Sequence, residues 1–278
     1  MLLALDTSTS FASIALAAQG RLQAELTWEV GQRHSAELFD RLLWLLSASG
    51  SAPRAIEGIA VATGPGSFNG LRVALTTAKT LAYSLGVPLY GHATLDVIGW
   101  GYASSATPVW ALLEAGRGQV YAACYLPAAT AAGWAPVGGR DGYAILTPGE
   151  LATRVEGPAL FAGELRPETH AVLVEALHER ARFAADLASR RASWLAELAL
   201  ARAAGGIADD PMTLEPLYLR KPAITQSTKT KRAKAIATPH ETAQATQAAQ
   251  AARTVSASDT PGLWREPGRE GVRRAVHR

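Results

Sequence analysis

The sequence predicts an α/β fold, and two observations carry that prediction. Residues 58–89 read as a strand, a glycine-rich loop, a helix and a second strand, and further short apolar runs alternate with amphipathic stretches on both sides of this unit. Hydrophobic residues make up 48% of the 278 positions, which is enough for a buried core in one large or two modest domains. We therefore expect sheets that are covered by helices.

The chain opens with an apolar strand that ends in an acidic residue and hydroxyl groups. This strand, residues 2–5, is followed by Asp6, Thr7 and Ser8, and residues 13–28 read as two further strands around a tight turn. Such a strand end before a hairpin is similar to the first phosphate loop of actin-like ATPases and sugar kinases. The alternative is that Asp6 and the hydroxyls only end the strand and satisfy the turn backbone.

The next stretch predicts a helix of about four turns that ends at Ser49. Its leucines cover a wide apolar arc, but Trp44 lies on the opposite side among charged residues. A large aromatic side chain on a polar face indicates a contact, either with a partner or with another loop of the same chain. Leu38 follows His34 at the position where a second histidine ligand would lie, so we expect no metal site.

The central unit carries the most specific pattern of the chain. An apolar run over residues 59–63 precedes the loop, which holds Gly64, Pro65, Gly66, Ser67 and Gly70. A helix is predicted over Leu71–Leu85, because its apolar residues recur at helical spacing, and Gly86 ends it. Its opposite face consists of small, weakly polar residues, namely Val73, Thr76, Thr77, Thr80 and Ser84. Such a face would permit the close approach of a second helix.

The glycine loop matches neither of the two common phosphate motifs. Leu71 follows Gly70 where a P-loop requires a lysine, and Asn69 lies where the dinucleotide fingerprint requires its third glycine. The free N–H groups at a helix start favour an anion. A phosphate cradle and a purely structural tight turn therefore both remain open from the residues alone.

The remaining elements follow from periodicity and from glycine and proline positions. We expect a helix over 94–102, strands over 108–113, 119–126, 143–146 and 159–163, a short helix from Pro148, and a long helix over Arg180–Ala204. The single cysteine, Cys124, excludes an intrachain disulfide and a cysteine metal cluster. We find neither a signal peptide nor a membrane span, so the cytoplasm is the expected compartment.

The basic character of the chain belongs to its C-terminal tail. Residues 222–278 contain 10 Lys or Arg and 4 Asp or Glu, which gives a net charge of +6. The remaining residues contain 17 Lys or Arg and 20 Asp or Glu, which gives a net charge of −3. Seven bulky apolar residues among these 57 positions are too few to offset the entropy of ordering. The tail is therefore expected to be a disordered, low-complexity extension.

Five motifs carry a resemblance to one family. The string GPGSFNGLR in the central loop resembles the GPGSFTGLR signature of the bacterial TsaB (YeaZ) family, with Asn69 in place of threonine. The strings LDTST, GQRHSAEL, RGQVY and LYLR occur in the family's order, so that the resemblance covers residues 1–221. In the RGQVY hairpin, Glu114 and Gly116 replace the family's aspartate and arginine.

The resemblance implies an actin-like, sugar-kinase (ASKHA) fold of two βββαβα-type halves with a cleft between them. The corresponding domains are residues 1–102 and 103–221, with the tail at 222–278. It also implies a non-catalytic subunit of the complex that forms N6-threonylcarbamoyladenosine at position 37 of tRNA. Such a subunit pairs with the transferase TsaD, is joined by the ATPase TsaE, can form a homodimer, and reaches tRNA indirectly through the complex. No cofactor of its own is implied, and ATP or ADP would lie at a subunit interface.

Two groups of candidate site residues follow, with no catalytic or metal-ligating residue among them. The candidate nucleotide or phosphate contacts are Asp6, Thr7, Ser8, Gly64, Gly66, Ser67 and Gly70. The candidate partner interface comprises His34, Glu37, Arg41, Trp44, Val73, Thr76, Thr77 and Thr80. The alternatives are a metallopeptidase or a kinase-like ATPase of the same fold, and a self-associating scaffold that uses the same helices.

Overall fold

The computed structural model describes residues 1–30, 34–184 and 190–220, and gives the side chains of this range except those of residues 34–36. The predicted disordered tail, 222–278, lies outside the described residues. Among the helices of the described part, none is long and apolar enough to cross a lipid bilayer.

The first sheet contains five strands in the order β3-β2-β1-β4-β5. These are β1 (Leu2–Asp6), β2 (Phe11–Ala18), β3 (Arg21–Glu29), β4 (Gly58–Gly64) and β5 (Leu89–Ala93). The first three form an antiparallel meander, whereas β4 pairs parallel with β1 and β5 pairs parallel with β4. Helices α1 (His34–Ala48) and α2 (Phe68–Leu85) connect β3 to β4 and β4 to β5, with a 3₁₀ turn at Pro53–Ala55.

The second sheet repeats this arrangement in the order β10-β9-β6-β7-β8. Its strands are β6 (Val109–Gly116), β7 (Gln119–Tyr125), β8 (Ala144–Leu146), β9 (Ala159–Glu164) and β10 (Ala181–Phe183). Helices α4 (Pro148–Thr153) and α5 (Pro167–Leu177) take the places of α1 and α2, and 3₁₀ turns cover Gly139–Gly142 and His178–Arg180. The antiparallel and parallel pairings match those of the first sheet strand by strand, so the expected two-halved fold is confirmed.

Two helices lie on the inner side of the halves. Helix α3 (Thr94–Trp100) packs against both sheets, with Val97 in the core of the first and Leu95 and Ile98 in the core of the second. Helix α6 (Ala192–Ala204) packs on the inner face of the first sheet, although it follows the second sheet in the chain. Each sheet is therefore covered on both of its faces.

Residue size distinguishes the two faces of the first sheet. Because side chains alternate along a strand, the outer face toward α1 and α2 receives large residues such as Leu3, Leu5 and Ile14. The inner face receives mainly alanines, which are Ala4, Ala15, Ala17, Ala60 and Ala62, with Leu2 and Tyr90 as the larger residues. These small residues meet the alanine-rich side of α6, so that helix and sheet approach closely.

The ends of α2 follow the local signals of the sequence. The Ser67 hydroxyl accepts a hydrogen bond from the Gly70 N–H at 3.3 Å, and Gly86 ends the helix in the left-handed conformation at φ 66°. The helix begins three residues earlier than predicted, at Phe68.

The predicted long helix over Arg180–Ala204 is wrong in its first part. Residues 181–183 form β10, which pairs parallel with β9, and the described helix begins only at Ala192. The Phe183 ring lies 5.4 Å from that of Phe161 on β9, so tertiary packing overrides the helical composition of this stretch. Helix α5 over Pro167–Leu177 was not predicted.

Candidate functional site

A cleft of about 770 Å³ lies where the strand ends of the two halves face each other. Its walls come from the β1–β2 loop, the start of α2, the end of β6 and the β9–α5 loop. The lining includes Ser8, Thr9, Gly66, Glu114, Glu164 and Arg166. Three of the predicted phosphate contacts, Ser8, Gly66 and Ser67, therefore border one cavity.

The carboxylate of Asp6 is buried beside this cleft and forms an ion pair with Arg190. One guanidinium nitrogen of Arg190 lies 2.7 Å from Asp6 Oδ2, and both side chains are almost inaccessible to solvent. The other carboxylate oxygen accepts hydrogen bonds from the Ser8 N–H at 2.9 Å and the Ser8 hydroxyl at 2.6 Å. Both oxygens of Asp6 are thus engaged by groups of the chain itself.

Arg190 also joins the two halves. Its guanidinium donates to Thr9 Oγ1 at 2.7 Å and to the Phe11 carbonyl at 2.6 Å, both in the first half. It lies 3.5 Å from Glu164 Oε1 at the end of β9 in the second half, and that oxygen accepts from the Thr9 hydroxyl at 3.0 Å. The floor of the cleft is consequently a network of charged hydrogen bonds that spans both sheets.

The glycine loop packs tightly against the β1–β2 loop. A Cβ atom on Gly66 would lie 2.1 Å from the Ser8 carbonyl oxygen, which also accepts from the Ser67 N–H at 2.6 Å. The Thr7 hydroxyl donates to the Gly70 carbonyl at 2.6 Å. Gly64 has φ +109°, a conformation that favours glycine. These contacts account for the loop as a structural turn, and a phosphate contact there stays a prediction.

The acidic residue at the end of the first strand of the second half has another set of partners. Glu114 Oε1 accepts from the Arg166 N–H at 3.0 Å and the Thr169 hydroxyl at 2.7 Å. Arg166 is the N-cap residue of α5, so Glu114 satisfies the start of that helix.

A second cavity, of about 660 Å³, lies at the carboxyl end of β5 beneath residues 209–217. Burial, together with the nearby Arg202 guanidinium, lowers the pKa of His92 to about 4, so its imidazole is neutral at pH 7. Burial raises the pKa of Asp96, although the hydroxyls of Tyr125 and Tyr143 each donate to its carboxylate at 2.6 Å. Neither His92 nor Asp96 was singled out from the sequence.

No metal centre is formed by the part of the chain that the structure describes. Among its His, Cys, Asp and Glu residues, no group of three or more could hold a metal ion. The side chain of His34 lies outside that part, and the expectation of no metal remains a prediction.

The candidate partner interface lies on α1 and α2, which pack beside each other on the outer face of the first sheet. Trp44 is 60% exposed, Thr76 and Thr80 are exposed, and Val73 and Thr77 are half-buried. Glu37 and Arg41 form a pair at 3.2 Å, and the Arg41 guanidinium lies 4.8 Å from the centre of the Trp28 ring. Phe39, Leu43 and Tyr83 extend the exposed apolar area.

Comparisons with known proteins place this geometry in context. Residues 28–132 match the family model described as TsaD: tRNA N6-adenosine threonylcarbamoyltransferase. The chain is 35% identical over 127 residues to the tRNA threonylcarbamoyladenosine biosynthesis protein TsaB of Bacillus subtilis and 34% identical to that of Escherichia coli. Each alignment covers 45% of this chain and 54% of the relative, so the match spans about half the length of these curated relatives.

A solved structure extends the likeness over the whole body of the chain. YeaZ from Pseudomonas aeruginosa superposes with a TM-score of 0.64 at 27% identity. The superposition covers 78% of this chain and 99% of that one. The fold therefore agrees over both halves.

Proposed function

We propose that this chain is a member of the TsaB (YeaZ) family and a non-catalytic subunit of the complex that forms N6-threonylcarbamoyladenosine in tRNA. In this role it binds a TsaD-type paralogue, which performs the transfer, and a TsaE-type ATPase joins the pair. The two B. subtilis and E. coli relatives are both named as biosynthesis proteins of this modified nucleoside.

The Asp6–Arg190 ion pair is the observation that carries the non-catalytic assignment. A kinase-like ATPase needs an acidic residue with free oxygens to bind hydrated Mg²⁺ or to accept a proton. Here Arg190 and Ser8 engage both oxygens of Asp6, so that the carboxylate is already paired with a cation of the chain itself. We propose accordingly that ATP or ADP in the complex binds at a subunit interface and not in this cleft.

The metallopeptidase alternative lacks a set of ligands in the described residues. A catalytic zinc site takes three protein ligands. Within residues 1–30, 34–184 and 190–220, which the structure describes, no group of three or more His, Cys, Asp or Glu residues could hold a metal ion. Elemental analysis of the purified chain tests this directly. One zinc or iron ion per chain would contradict the proposal.

The α1–α2 surface is the docking site that we propose for the TsaD-type partner. It presents the exposed Trp44 on α1 and the exposed Thr76 and Thr80 on α2, and aromatic anchors such as Trp44 carry a large share of interface energy. The surface is formed by two adjacent helices on one sheet face, an arrangement that suits a partner which offers a helix pair of its own. Association of two copies of this chain through the same surface is the second candidate.

Trp44→Ala and Thr80→Arg test the docking surface. We expect each to weaken binding of the TsaD-type partner by about thirtyfold, equivalent to about 2 kcal/mol, because the first removes the anchor and the second blocks close approach. Val172→Ala changes a 41% exposed apolar residue on α5 and serves as the matched control with unchanged affinity. Affinity is measured by titration calorimetry, and mass determination of the chain alone reports self-association.

The fold of each variant is checked by circular dichroism and thermal unfolding. Native-like variants that bind the partner as tightly as the parent would refute the docking surface. Variants that abolish dimers of this chain without affecting the partner would instead favour the self-associating scaffold.

A further inference from the structure

An exposed aromatic pair lies at the start of α2, on the turn that precedes Arg72 and eight residues before Thr76 on the same helix. Phe68 is the first residue of α2, and Tyr218 belongs to the C-terminal segment that returns across β4. Their ring centroids lie 5.5 Å apart with planes inclined by 32°. The two side chains remain 40% and 37% exposed, so the pair contacts solvent although its members contact each other.

Arginine side chains border this pair. The guanidinium of Arg72, one helical turn after Phe68, lies 4.6 Å from the centre of the Phe68 ring. Arg220 follows Tyr218 by two residues, donates to the Ala115 carbonyl at 2.9 Å and contacts the Gln119 side chain. These bonds place it against the turn between β6 and β7, whose tip is the exposed Arg117.

The charge of this surface is opposite to that of the body. Residues 1–221 carry a net charge of −3, yet Phe68, Arg72, Arg117, Tyr218 and Arg220 together present three cations and two aromatic rings. In the sequence, Lys221 and then residues 222–278, with a net charge of +6, follow Arg220. A basic segment of the chain itself would be repelled here, whereas a polyanion would be attracted.

We propose that this aromatic–arginine surface binds single-stranded RNA by stacking unpaired bases on Phe68 and Tyr218 while the arginines contact phosphates. Exposed rings interleaved with arginine are the means by which single strands are bound without a sequence code. Bases held in a duplex do not offer their faces, so a single strand fits and a duplex does not. The inference extends the proposed function, in which tRNA is reached only through the complex, to a direct contact by this chain.

The test uses the full-length chain, without any partner, and fluorescence anisotropy with a labelled single-stranded RNA oligonucleotide. A matched oligonucleotide with abasic ribose units keeps the phosphates and removes the stacking. We expect the parent to bind the base-bearing strand about fivefold more tightly or better than the abasic strand. Tyr218→Ala should remove that preference, whereas Tyr218→Phe, which keeps a ring, should retain it.

Arg72→Ala should weaken binding of both strands and make its salt dependence less steep by about one unit of slope. Tyr83→Ala is the matched control, because Tyr83 is 81% exposed on the same helix but lies at its other end. We expect it to bind like the parent. For Phe68→Ala, RNA binding is compared together with thermal unfolding of the variant, because Phe68 is also the first residue of α2 and its loss could destabilise the helix.

Equal binding of the abasic and base-bearing strands by the parent would overturn the proposal and leave only charge attraction by the tail. Unchanged binding by a folded Tyr218→Ala variant would overturn it as well, as would equally tight binding of an acidic peptide. The assay contains no TsaD-type partner, so its result is independent of the Trp44→Ala test. Failure of one proposal can therefore be told from failure of the other.

Discussion

The two halves of the molecule share one strand order but use the same position differently. Asp6 follows Leu5 near the end of the first strand of one half, and Glu114 follows Leu113 near the end of the first strand of the other. Asp6 is fully buried and paired with an arginine from a remote segment, whereas Glu114 caps the nearest helix of its own half. A shared topology thus fixes where an acidic side chain lies but not what it does.

The outer helices differ between the halves in a second way. Helices α1 and α2 contain 15 and 18 residues, whereas α4 and α5 contain 6 and 11. The longer pair exposes Phe39, Trp44 and Tyr83, while the exposed large apolar residues on the shorter pair are Val172 and Val174. The outer helices of the first half thus carry the exposed aromatic residues that we propose as a docking site, whereas those of the second half are shorter.

The largest effect expected from this comparison concerns Asp6. Asp6→Ala leaves the Arg190 cation buried without its partner and should lower the free energy of unfolding by about 3–5 kcal/mol. Urea denaturation measures the loss. Replacing both members with apolar residues of similar volume, Asp6→Leu with Arg190→Met, should restore much of it. A cost of about 1 kcal/mol or less for Asp6→Ala would contradict the assigned role of the pair.

The next largest effect concerns His92 on β5 of the first half, which lies in the cavity beneath residues 209–217. The pKa of His92 is lowered to about 4, so the unfolded chain binds the proton more readily and stability falls as pH decreases from 6.5 toward 4. The loss should reach about 3 kcal/mol. His92→Gln should flatten this part of the profile in urea denaturation at several pH values. If the free energy of unfolding of the unmodified chain did not change between pH 6.5 and 4, the lowered pKa of His92 would be contradicted.

The smallest effect concerns Glu114. Glu114→Ala removes the acceptor for the Arg166 N–H and the Thr169 hydroxyl at the start of α5, and should cost about 1 kcal/mol, as lost helix caps do. The same denaturation series measures it, with Glu168→Ala, exposed in the same turn, as the control. If Glu114→Ala lowered the free energy of unfolding as much as Asp6→Ala does, the two acidic residues would no longer differ in their structural roles.

Local signals made most elements of both halves predictable, although α5 was not predicted. The strand, glycine loop and helix around residues 58–86 follow from periodicity, the Ser67 cap and Gly86, all of which act within a few residues. Strand β10 was not predictable, because three residues form a strand only through pairing with β9. The alanine-rich sequence after it suits a helix, which begins 9 residues after Phe183.

Candidate site residues were predictable only where the motif itself carries them. Asp6, Ser8 and Gly66 stand out in the sequence and do border the cleft region. Arg190, which pairs with Asp6 beside that cleft, lies 184 positions after Asp6 within the stretch predicted as a long helix, and nothing in that pattern singles it out. Its role depends on a contact that forms only in the folded chain, so periodicity and spacing could not reveal it.

The position of α6 has a consequence for synthesis of the chain. Residues 192–204 cover the inner face of the first sheet, and Arg190 neutralises the buried carboxylate of Asp6. All of these residues leave the ribosome after the strands of both sheets have been made. The first half therefore cannot complete its core while it is the only part synthesised, even though all of its strands are present. Folding that starts at the N-terminus must wait for the last helix, and an alanine-lined sheet face stays available to other chains until then.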